Sequence, residues 1–191
     1  SDDNGKTWDM PEEMRIKFPE DTEKSLENIW QIAAGADDDT LYVGAAPAAV
    51  FESHDNGRTW TINRGLWDHP HREQWTPGFG GLAVHTIVAD TDDRDSLKIA
   101  ISTAGVYQSA DGGKNWKEQF RNKDEKAFYD AIACINSSKC FAMSDPIDNS
   151  FRLIRTNNGG SDWQEWPYWS RTTNGEAAFA ASGTCLIVYR D

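Results

Sequence analysis

The residue types best suited to chemistry in this chain are three histidines. His69-Pro70-His71 sets two imidazoles on one side of an extended segment, Asp68 stands beside them to orient a ring nitrogen, and His85 opens a β-rich run further on. Together they could bind a metal ion or pass a proton. A hydrogen-bonded loop without metal uses the same H-x-H spacing, and no cofactor is expected. The stretch from Gly65 to Gly81 adds Trp67, Arg72 and Trp75, with two prolines and four glycines. Long loops on a rigid scaffold tend to carry function. Trp67, Asp68, His69, His71, Arg72, Trp75 and His85 are therefore the candidate ligand-binding set.

Carboxylates are the other source of chemistry. Hydrolysis of a glycosidic bond needs an acid and a base or nucleophile on separate elements. Asp130 and Asp145 sit at strand ends, and Glu176 precedes a small-residue run that would face a central channel. These three are weak catalytic candidates, since capping a turn explains an Asp at a strand end equally well. Ser182 and Cys185 lack the flanking residues of a nucleophile elbow. Three cysteines exclude a fully paired framework. Cys134 and Cys140 flank a short turn and would face each other across a hairpin, as a disulfide or as two buried thiols.

The elements that must position these groups are announced by a repeated octapeptide. Ser53-His54-Asp55-Asn56-Gly57-Arg58-Thr59-Trp60 has counterparts beginning at Ser1, Ser109 and Thr156. The terminal tryptophans Trp8, Trp60, Trp116 and Trp163 are spaced by 52, 56 and 47 residues, a period that signals an array of similar supersecondary units. Each copy reads as a turn. Asp3, Asp55 or Asp111 accepts from backbone amides further on. Gly5, Gly57, Gly113 or Gly160 takes positive φ. The Ser or Thr at the first position closes the loop, and the Trp plugs the gap beneath. In the fourth copy Asn158 replaces Asp and Asp162 replaces Thr, so a looser turn is expected there.

Between the octapeptides, short β-rich runs recur at even spacing with Gly, Asn and Asp turns between them. Four strands in about 45–55 residues is the pattern of a propeller blade. The expected fold is all-β: a β-propeller of four-stranded antiparallel blades, present as an incomplete arc of three to four. Its divisions are 1–18 (partial), 29–66, 83–122, 127–169 and 176–191 (partial), with Leu186 to Tyr189 read as a strand just begun and both ends as cut. One short helical turn is expected within 20–28, capped by Asp21 or Thr22. With 191 residues and a net charge of −12 the chain is long enough for one sizeable domain, and it lacks the basic face that nucleic acid or an anionic membrane would require. No apolar run is long enough to span a membrane.

The octapeptide resembles the Asp-box, or BNR repeat, and the chain is similar throughout to the Asp-box β-propellers, which include sialidases, xyloglucanase-type glycoside hydrolases and photosystem II assembly-factor-like proteins. Residues from about 25 to 116 resemble bacterial YVTN/BNR-repeat proteins, often labelled sialidase-like or glycosyl-hydrolase-like, through Trp30, Tyr42-Val43-Gly44, Gly65 to Pro70, Arg72, Trp75 and His85-Thr86-Ile87. Residues from about 127 to 191 resemble secreted assembly-factor-like proteins, through Phe128-Tyr129-Asp130, Ser144-Asp145-Pro146 and Glu176 to Cys185. A seam would fall between 116 and 127. The resemblance implies a secreted or periplasmic protein. The sialidase arginine motif [FY]-R-I-P is absent, with only a distant echo at Met14 to Lys17. The expectation is a module that binds a glycan or protein partner. A glycoside hydrolase whose remaining site lies in further blades is the alternative, and an assembly scaffold the third reading.

Overall fold

The computed structural model describes residues 3–8, 14–78, 80–121, 127, 129–167, 171–173, 176–178 and 185–189. Three four-stranded antiparallel sheets make up its body. Blade I holds β1 (Asn28–Ala34), β2 (Leu41–Ala46), β3 (Ala49–Ser53) and β4 (Thr61–Ile62). Blade II holds β5 (Val84–Ala89), β6 (Ser96–Ile101), β7 (Gly105–Ala110) and β8 (Lys117–Phe120). Blade III holds β9 (Tyr129–Cys134), β10 (Cys140–Ile147), β11 (Ser150–Thr156) and β12 (Gln164–Glu165). Every connection joins neighbouring strands, and β5 packs between β1 and β9, so the first strands of the blades adjoin one another.

Strand periodicity decides which residues meet between blades, because successive side chains point to opposite faces. In β6, Leu97, Ile99 and Ile101 enter the core shared with blade I, while Ala100 enters the core shared with blade III. All six β6 residues are buried, as expected of a strand covered on both faces. On the other side of blade I, Val43, Ala45 and Phe51 pack with Phe18 and Ile16 of the preceding segment. Gly44 lies where blades I and II approach closely: a Cβ there would collide with the Val84 carbonyl.

The octapeptides at 53–60, 109–116 and 156–163 fold as turns between the third and fourth strands of their blades. In the first copy Asp3 makes the same bonds to Thr7, but Trp8 is 75% exposed and does not plug the turn as expected. Asp55 Oδ1 accepts from Thr59 N at 2.8 Å and Oδ2 from Thr59 Oγ1 at 2.6 Å, while Ser53 Oγ accepts from Gly57 N at 2.9 Å. Asp111 repeats the pair with Asn115 N and Nδ2 at 2.9 and 2.7 Å. In the fourth copy Asn158 Oδ1 accepts from Asp162 N, and Asn158 Nδ2 donates to Asp162 Oδ2, both at 3.0 Å. The carboxylate and the donor have exchanged ends, so the same bond survives with reversed polarity. The turns need two consecutive residues at positive φ, Asn56 (59°) with Gly57 (81°) and Gly112 (68°) with Gly113 (85°), where a single glycine was expected. The fourth position also ties the turn to its own blade: Asn56 N, Gly112 N and Gly159 N donate to the carbonyls of Asp39, Asp95 and Ser138.

Three local features depart from the sequence reading. The helical turn near residue 20 is a 3₁₀ turn, Glu20–Thr22, preceded by Pro19 and ended by Glu23 at positive φ; Asp21 instead forms an ion pair with Arg64 at 2.8 Å. A short helix, α1 (Arg64–Trp67), was not anticipated; Asn63 caps it by accepting from Leu66 N at 3.0 Å. Residues 186–189 carry no strand in the described structure. Cys134 and Cys140 pair as a disulfide across the β9–β10 hairpin, and Cys185 is not part of it.

Candidate functional site

The loop singled out by the sequence is folded inward against blade II. Leu66 is fully buried and Trp75 nearly so, both within the core between blades I and II. His69 Nδ1 accepts from His71 N at 3.1 Å and His69 Nε2 lies 3.1 Å from the Trp116 carbonyl. Those partners define its tautomer: Nε2 carries the proton and the ring is neutral. Burial moves its pKa below the ordinary value, with the Trp116 carbonyl opposing. Both ring nitrogens are thus committed inside the fold.

Arg72 is held as firmly. Its Nη1 donates to the Ala48 carbonyl at 2.7 Å, and its guanidinium lies 3.5 Å from the Trp67 ring centroid and 5.6 Å from that of Trp75. Burial lowers its pKa to about 10, with Asp68 opposing. The residue therefore stitches the loop to blade I. Asp68 is exposed and 3.9 Å from Arg64.

A polar network fastens the same loop to β7 and β8. Trp75 Nε1 donates to Tyr107 Oη at 2.9 Å, and Tyr107 Oη donates to Glu118 Oε2 at 3.2 Å. Arg121 donates to Glu118 Oε2 at 2.7 Å and to Gln74 Oε1 at 3.0 Å. His71 Nδ1 stands 3.2 Å from Glu118 Oε2. Burial works to raise the Glu118 pKa, but its bonds to Arg121 outweigh that and hold it below the ordinary value. Burial pushes Tyr107 up to about 12. A fully buried phenol held protonated is no nucleophile, so the Tyr–Glu–Arg constellation braces the loop.

The remaining candidates are dispersed. His85 is buried on β5, its ring centroid 6.5 Å from that of Trp30 and its Nδ1 3.2 Å from Thr86 Oγ1, away from the partners of His69 and His71. Among the described residues no three His, Cys, Asp or Glu side chains gather as a metal site requires. Asp145 Oδ1 accepts from Ala178 N at 2.7 Å, and Glu176 Oε2 from Thr173 N at 3.0 Å, so each serves a backbone amide. Asp130 lies on β9; its side chain is outside the described residues, as is Ser1 of the first octapeptide.

Sequence reasoning missed the clefts between blades. One, about 710 Å³, opens between blades I and II beside their octapeptide turns, lined by Tyr42, Glu52, His54, Arg94, Asp95 and Lys114 among others. Burial raises the pKa of Glu52, with His54 and Asn63 opposing. The same burial, reinforced by Glu52, Asp37 and Asp95, raises Tyr42. A second cleft of about 420 Å³ has Lys98 in its wall, 97% buried and lowered in pKa by that burial. A third, about 470 Å³, lies between blades II and III over Trp163 and Glu165. His54, Lys114 and Trp163 belong to the octapeptides, but nothing local in the sequence marks the clefts, because each forms from segments far apart in the chain.

No protein-family model matches the chain, and no curated protein matches it. Among solved structures it is similar to the GH74 enzyme of Niastella koreensis, at 18% identity over 78% of this chain and 22% of that one, with a TM-score of 0.56. It is also similar to YCF48 from Cyanidioschyzon merolae, at 17% identity over 72% of this chain and 36% of that one, with a TM-score of 0.50. YCF48 bound to D1 peptide matches at 16% identity over 72% of this chain and 38% of that one, with a TM-score of 0.48. The chain thus spans well under half the length of these structures. At such identities the likeness concerns the fold: the chain is an all-β propeller segment of four-stranded antiparallel blades.

Proposed function

We propose that this chain is part of an Asp-box propeller that binds a polar ligand or partner segment, glycan or protein, and that the binding surface is the cleft between blades I and II. The observation that carries this reading is Glu52: a partly buried carboxylate in a cleft of about 710 Å³, with Tyr42 beside it and Arg94 and Lys114 across the gap. A cleft that offers both signs of charge and an aromatic wall suits a ligand recognised at several polar points. Catalysis finds less support, since Asp145 and Glu176 are engaged by backbone amides and Tyr107 is buried. The Cys134–Cys140 disulfide supports a secreted or periplasmic setting, where such bonds persist. The test is to screen the intact chain and Glu52→Gln on immobilised glycan and peptide arrays. Binding of one class by the native chain, weakened about tenfold or more by the substitution, is the expected result. Native binding that Glu52→Gln leaves unchanged, or no binding on either array, overturns the reading.

A further inference from the structure

The gap between blades II and III has a filled counterpart elsewhere in the chain. The octapeptide register makes Trp163 the equivalent of Trp116, Glu165 of Glu118 and Gln119 of Asn63. Over Trp116 and Glu118 lies the chain's own segment 63–75. Asn63 Oδ1 accepts from Trp116 Nε1 at 3.0 Å, Leu66 and Trp75 bury their side chains, and His71 and Arg121 engage Glu118. Over Trp163 and Glu165 the space is a cleft of about 470 Å³. Its floor is Phe120, Tyr129 and Ile147, and Trp163 Nε1 is buried without an acceptor among the described residues. The two carboxylates differ accordingly: the Glu118 side chain is 23% exposed and bonded, whereas Glu165 is 68% exposed and, among the described residues, is ion-paired with Arg152 at the longer distance of 3.6 Å.

We propose that this cleft is a docking site for a short peptide segment of a partner protein, built like residues 63–75: an aliphatic or aromatic anchor that seats on Phe120, Tyr129 and Ile147, and a basic or histidine side chain that reaches Glu165. The equivalent surface in the neighbouring interface accepts that chemistry. The apolar floor favours it, because the anchor gains from leaving water; Arg121 is already bonded to Glu118, and the exposed Glu165, 3.6 Å from Arg152, is the rim carboxylate that a basic side chain can reach. The site lies apart from the Glu52 cleft and stands whether or not that cleft binds a ligand.

The probe is a synthetic peptide with the sequence of residues 63–75, titrated into the intact chain with 15N-labelled tryptophan indoles. Saturable binding that moves the Trp163 indole signal is expected, with no response to a scrambled peptide. Glu165→Arg, a change at an exposed side chain that leaves the fold intact, should weaken binding about tenfold or more. Glu52→Gln should leave it unchanged, which separates this proposal from the preceding one. Absence of saturable binding, binding indifferent to Glu165→Arg, or movement of the Trp75 and Trp116 signals instead of Trp163 would overturn it.

Discussion

Trp116 and Trp163 close equivalent octapeptide turns, yet the interfaces they face are built differently. The indole of Trp116 donates to Asn63 and to the Gly113 carbonyl, and an intervening segment covers it. The indole of Trp163 is buried with no acceptor among the described residues, beside a cleft of about 470 Å³. The connection from β4 to β5 is long and folds back as α1 and a bonded loop; that from β8 to β9 is short. Blades radiate, so their outer strands diverge and something must fill the space. The first interface draws its filler from its own chain. Trp67, His69, His71 and Trp75, which look like a ligand site in sequence, lie in that filler.

The largest effect should come from removing the filler's main anchor. Trp75→Ala deletes a buried indole and its bond to Tyr107, which should cost about 3–5 kcal/mol in urea unfolding. Asn63→Ala should follow, at roughly 2–3 kcal/mol, because one side chain both caps α1 and accepts from Trp116. The equivalent Gln119→Ala should cost no more than about 0.5 kcal/mol. Equal losses at Asn63 and Gln119 would erase the distinction between the two interfaces.

The propeller was legible because its signals are local. Octapeptide spacing and evenly spaced β-rich runs announced four-stranded β units, and Asp and Gly announced the turn. The second positive-φ residue was present as Asn56-Gly57 and Gly112-Gly113, dipeptides suited to such turns. The roles of His69, Arg72 and Trp75 were not legible. A histidine bonded at both nitrogens and one awaiting a ligand look alike until the Trp116 carbonyl, 47 residues away, is placed beside it. Asn63 carried a signal, an N-cap residue ahead of Gly65-Leu66-Trp67, but four residues of helix leave no periodicity to notice. Glu52 and Glu165 belong to no motif, and only the packing of blades reveals their surroundings.

Two smaller effects sharpen the comparison through pH. His69 is neutral in the fold with its pKa lowered, so its contribution to stability is complete above the ordinary histidine value of 6.5 and declines as pH falls below it. Hydrogen exchange of the Leu66 and Trp67 amides should therefore accelerate between neutral and mildly acidic pH, while β10 and β11 stay protected. At lower pH the turns respond. Asp55 and Asp111 are held at about 2, chiefly by side-chain bonds from Thr59 and Asn115, so their contribution is present above the ordinary carboxylate value of 3.8 and is lost as pH falls toward about 2. A pH titration of these carboxyl groups by nuclear magnetic resonance checks it directly.

The central claim is that the segment from Asn63 to Trp75 is mortar between blades I and II and not a ligand-gripping loop. Native-state hydrogen exchange of the Trp75 and Trp116 indole N–H groups tests it most directly. Exchange of both with the free energy of global unfolding, in step with the amides of β6, is the predicted result. Exchange of the Trp75 indole as fast as an open loop, with β6 still protected, would contradict the account.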